Sequence, residues 1–153
     1  MKLAEALLLR SDLQKKLASL RERINRNTLS QEGEAPAEDP NLLLRQAREV
    51  VGQLQKQILA VNEANLRGRT AGKRSITAAL AERDGLILMH SIVQGAAASA
   101  AKPPERYGVK EIRWVKAVDV PALQKEADDL AKQLRQVNAE VQAANWILEI
   151  NDV

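Results

Sequence analysis

Chemistry in this chain would have to come from a short inventory of side chains. His90 is the single histidine, and it lies seven residues after Arg83 in the stretch that also holds Glu82 and Asp84. At about 100° per residue a helix would put Arg83 and His90 on one face, where the imidazole could act as a general base. No serine–histidine–acid order accompanies it, and the position three before it is Ile87, so the Glu-x-x-His spacing of a di-iron carboxylate site is missing. A histidine hydrogen-bonded at a helix interface is the ordinary explanation. Cysteine is absent, which removes thiolate metal sites, Fe–S clusters, disulfides and cysteine nucleophiles together.

The segment RGRTAGKRS, Arg67 to Ser75, has the character of a basic, glycine-bearing loop. A Walker A loop needs four residues between its glycines and a hydroxyl after the lysine. Here three residues separate Gly68 from Gly72, and Arg74 follows Lys73. The alternative is a simpler anion site, because Lys73 and Arg74 stand before Ser75, the expected cap of a helix whose first N–H groups lack partners. Arg69, Lys73, Arg74 and Ser75 are the expected contacts to sulfate, a nucleotide phosphate or RNA.

Other charged groups have ordinary explanations. Glu126, Asp128 and Asp129 could hold a hard cation, yet acids early in a helix are favoured by its dipole. Arg21, Arg23 and Arg26 could meet phosphates, and basic residues near a helix C-terminus are equally expected. Tyr107 and Trp114 are too few to form a base-stacking platform. No catalytic residues, metal ligands or cofactor are expected.

These residues are carried by elements that the apolar spacing defines. Hydrophobic residues make up 45% of the 153 residues, but aromatics only 2% with no phenylalanine, so a core of Leu, Ile, Val and Ala is implied, which suits interdigitating helices. Residues 2–26 carry a seam of Leu3, Ala6, Leu13, Leu17, Leu20 and Ile24, interrupted by Arg10. A second helix starts near Pro40 with its seam on Leu44, Ala47, Val51, Leu54, Ile58 and Val61. Ser75 opens a third, from Ile76 to about Ala101, with Leu80, Leu86, Val93 and Ala97 as buried candidates and a terminal GAAASAA run that lets another backbone approach closely. The fourth, capped by Asp119, has an unbroken 4-3 seam of Leu123, Ala127, Leu130, Leu134, Val137, Val141, Ala144 and Leu148.

Between helices, Glu111 to Val118 alternates in strand fashion, with Trp114 expected in the core and pairing expected from Thr28 to Glu32 or Arg67 to Ala71. The fold class is therefore mostly α: a single domain over 1–153 of four long heptad-patterned helices in an antiparallel, coiled-coil-like bundle, with a small two- or three-stranded β element.

The segments MKLAEALLLRSDLQKKLASLRERINRN, ITAALAERDGLILMHSIV and EIRWVKAVDVPALQKEADDLAKQLRQVNAEVQAANW together resemble a family of small, functionally uncharacterised bacterial proteins. Some of its members carry the label septicolysin. The resemblance implies a helical fold with a small β element and supplies no catalytic residue. Lysis is not what the residues suggest: the chain lacks both a run of about 20 apolar residues and alternating hairpins of about ten residues per strand. With only Leu7 to Leu9 as an apolar run near the N-terminus, a signal peptide is not expected and the compartment expected is the cytoplasm. Net charge is +3, a mild excess. The function that follows is a non-enzymatic, self-assembling helical interaction or scaffold protein, a homo-oligomer without stable membrane insertion; the alternative is a module binding a phosphate-bearing ligand or RNA through 67–75.

Overall fold

The structure, a computed structural model, describes residues 1–102 and 114–150. Four α-helices follow one another: α1 Leu3–Asn27, α2 Pro40–Arg67, α3 Ile76–Ala101 and α4 Val120–Ile147. Local chemistry starts three of them. The Asp39 carboxylate accepts from the Asn41 N–H at 2.8 Å with Pro40 in the first turn, the Ser75 hydroxyl accepts from Ala78 N–H at 3.1 Å, and Asp119 accepts from Ala122 N–H at 3.1 Å. Each satisfies an otherwise orphaned donor. Glu126, Asp128 and Asp129 lie beyond the first turn of α4, which holds no acid, so the dipole does not account for them.

The chain divides into two compact units, residues 1–69 with 142–153 and residues 70–141. In the first, α1 and α2 run antiparallel around Leu13, Leu20, Leu43 and Val50, flanked by Leu17, Ile24, Ala47 and Leu54. At one end Asn27 bonds both ways, donating to Arg23 O at 2.9 Å and accepting from Glu38 N–H at 3.0 Å, while the Arg23 guanidinium grips the Glu38 carboxylate. At the other, the buried Gln57 amide donates to Ala6 O at 3.0 Å. The chain's two ends also meet here: Leu3 N–H donates to Leu148 O at 2.9 Å, Ile150 N–H to Met1 O at 2.9 Å, and the Lys2 ammonium to Glu149 at 2.6 Å.

The α1 seam is as expected from the spacing, whereas the α2 seam is displaced by one residue at alternate positions. Leu43, Val50, Gln57, Val61 and Ala64 are buried, and Leu44, Val51 and Ile58 are at least a third exposed. Both stripes share Ala47, Leu54 and Val61, and apolar residues stand at both 43 and 44 and at both 50 and 51. Packing against α1 selects between them.

In the second unit, Ala79 of α3 packs with Val137 and Val141 of α4, supported by Leu80 and Leu86. The α3 N-terminus lies beside Glu140 and its C-terminus beside 114–118, so this pair is antiparallel as well. The α4 seam matches expectation: its eight positions are buried or half-buried.

The β element is corrected. Among the described residues there is no strand; single bridge positions stand at Lys2 and Glu149, which pair antiparallel, and at Arg69 and Ser75. Residues 111–113 of the expected strand lie outside the described residues, and 114–118 are irregular. Trp114 is 76% exposed, not buried. Some backbone groups of the segments expected to pair with it bond locally: Gln31 O accepts from Glu34 N–H, and Thr70 N–H bonds Arg74 O while Thr70 O accepts from Lys73 N–H.

Candidate functional site

The basic loop is built around a carboxylate. Arg74 projects Nε to Glu140 Oε1 at 3.2 Å and Nη2 to Glu140 Oε2 at 2.6 Å, and its remaining nitrogen pairs with Glu82. The Thr70 hydroxyl lies beside the same carboxylate and donates to Arg74 O at 3.4 Å. The Arg74 guanidinium, followed by the Thr70 hydroxyl, therefore holds the Glu140 carboxyl below its ordinary value. A Cβ on Gly72 would stand 3.0 Å from Glu140 Oε1, so the absence of a side chain there lets the carboxylate close over the turn. Lys73 takes φ 63°, the left-handed conformation that finishes this turn, and is exposed.

Of the expected anion contacts, Ser75 is occupied capping α3, and Arg74 is neutralised by two acids. Arg69, in the first unit, turns onto the end of its own helix, donating to the carbonyls of Leu66, Arg67 and Gly68 at 3.0–3.2 Å. Those carbonyls lack helical partners, so a cation is well placed there. Glu140 and Glu82 were not foreseen. Glu140 is 66 residues from Arg74 and sits one position off the α4 seam, so no local pattern marks it.

Three of the other arginine candidates are paired within the fold. Arg83 bonds Asp84 at 2.8 Å and is half-buried, as is His90. Arg23 is held by Glu38 and Arg26 by Glu22. A groove of about 680 Å³ lies where Ala96, Ser99 and Lys102 of the α3 end approach Trp114 and Val118. A smaller cleft of about 300 Å³, in the first unit, is bounded by Glu63, Arg67 and Glu149.

Several large apolar side chains are exposed among the described residues, Leu59 and Leu66 of α2 included, and on α3 they gather into an outer face. Opposite its buried line of Ala79, Val93 and Ala97 stand Leu88 and Ile92, 66% and 64% exposed. Ile87 and Met89 flank them, both also exposed. Ala81, Gly85, Gly95 and Ser99 complete the face, all exposed, with Ser99 also bordering the groove toward Trp114. At about 100° per residue these six principal positions fall within an arc of about 80°. A Cβ at Gly85 or Gly95 would meet nothing within 4 Å. Each glycine costs the helix roughly 0.5–1 kcal/mol relative to alanine with no packing gain inside the chain. Isolated exposed apolar residues are ordinary, but a contiguous apolar face with open glycines marks a contact surface.

Helix pairs with capped ends, acid-paired arginines and an open apolar helix face define an all-α helical protein. Residues 10–150 match the model of a family of unknown function, DUF6847, and the chain belongs to that family. It is also similar to a crystal structure of a functionally unknown conserved protein from Corynebacterium diphtheriae, with 28% identity, 99% of each chain covered and a TM-score of 0.89. No curated protein matches.

Proposed function

We propose that this is a cytoplasmic, non-enzymatic helical protein that self-assembles, serving as an interaction or scaffold unit. The observation that carries this reading is the outer face of α3: Leu88 and Ile92 stay about two-thirds exposed on one side of the helix, with Ile87 and Met89 exposed beside them. Light scattering coupled to size exclusion tests the reading. A mass of two or more chains is expected at micromolar concentration, and a strictly monomeric mass would remove it.

The phosphate-binding alternative through Arg69, Lys73, Arg74 and Ser75 has weaker support, because Arg74 already meets Glu82 and Glu140. Exposed Lys73, beside the α3 N-terminus, is what remains in its favour. Phosphate titrated into the parent and Lys73→Ala would reveal it as a salt-sensitive difference in affinity. The lytic activity suggested by the label septicolysin has no support from the helices, none of which among the described residues is long and apolar enough to cross a membrane.

A further inference from the structure

We infer that the occupant of the α3 outer face is α3 of a second copy, running antiparallel about a two-fold axis at the level of residue 90. This rests on the self-assembly reading above and specifies the partner. The first ground is the order of residues along the face. Ala81 and Ser99, Gly85 and Gly95, and Leu88 and Ile92 are each equidistant from position 90, so the face reads alike in both directions: small, glycine, large, large, glycine, small. A two-fold interface needs one patch to complement itself, with residue i on j and j on i. In an antiparallel pair Leu88 lies level with Ile92 of the second copy, and each glycine lies level with the other. Helical side chains lean toward their own N-terminus. Leu88 therefore leans outward over Gly95 of the second copy while Ile92 leans toward the axis, so the large side chains pass one another and the glycines receive them. The open space above Gly85 and Gly95 is what this packing requires.

The second ground is charge. Glu82, Arg83 and Asp84 lie in the N-terminal half of α3, and residues 93–101 carry no charged side chain. An antiparallel pair sets Asp84 against Ala96 of the second copy and brings no like charges together. A parallel pair would set Asp84 on Asp84 and Glu82 on Glu82, which disfavours that alternative.

The experiment compares the masses in solution of the parent, Leu88→Glu, Ile92→Lys and an equimolar mixture of the two variants, with circular dichroism confirming that each is helical. The expected result is an associated parent, two monomeric variants and reassociation on mixing, because the antiparallel register sets Glu at 88 opposite Lys at 92 while leaving a native Leu88–Ile92 pair at the other site. Reassociation should weaken with salt. A monomeric parent would overturn both this inference and the self-assembly reading. Variants that retain the parent mass would overturn only the inference, since assembly would then use another surface. Monomeric variants that stay monomeric when mixed would overturn the antiparallel register.

Discussion

Glu140 shows how one side chain can organise a loop. Its carboxylate receives the Arg74 guanidinium, and its pKa is depressed first by that hydrogen bond. A carboxyl whose folded value lies below its unfolded one contributes stability above the ordinary value of 4.5, and loses that contribution as pH falls through the folded value. Glu140→Gln is therefore expected to cost about 1–2 kcal/mol at pH 7, the scale of hydrogen bonds to a charged group at a half-buried site. The gap between parent and variant should close as denaturation is repeated at progressively lower pH below 4.5. A gap independent of pH would mean that the carboxylate charge contributes nothing. The cations Arg69, Lys73, Arg74 and Ser75's cap position could be read from the sequence, but the acids that claim Arg74 could not. They arrive from other segments, and only the fold brings them within bonding distance.

For the helices, legibility follows how one-sided each apolar stripe is. In α4 a single unbroken stripe leaves one possible face, and the buried positions coincide with it. In α2 the doubled apolar residues at 43–44 and 50–51 offer two stripes about one residue apart. Substitution separates them. Leu43→Ala removes a side chain that is 2% exposed and is expected to cost about 2–5 kcal/mol, whereas Leu44→Ala, at 37% exposed, is expected to cost below about 1 kcal/mol. Urea denaturation of both variants measures the difference, and equal costs would show the seam to be shared. The alternation before α4 misled for a different reason. A strand needs a partner, and in the candidate partner segments Gln31 and Thr70 bond within local turns instead.

For the molecule as a whole, the open glycines set stability against association. Gly85→Ala adds a methyl group where the isolated chain has free space, and should stabilise the dilute protein by about 0.5–1 kcal/mol through helix propensity. The same methyl occupies the space that a second α3 would use, so self-association should weaken. Thermal unfolding at low concentration and light scattering at high concentration read the two effects separately. Strengthened association would contradict the close approach of two α3 helices.

The sequence by itself determined that the chain is helical, where its four helices begin, and which faces of α1 and α4 turn inward, because caps, prolines and a one-sided 3.6-residue period act over a few neighbouring residues. Only the tertiary structure decided the α2 register, the irregular course of residues 114–118, the neutralisation of Arg74, and the exposure of Leu88 and Ile92. Each of these depends on which distant segment arrives opposite, and a local pattern carries no record of that.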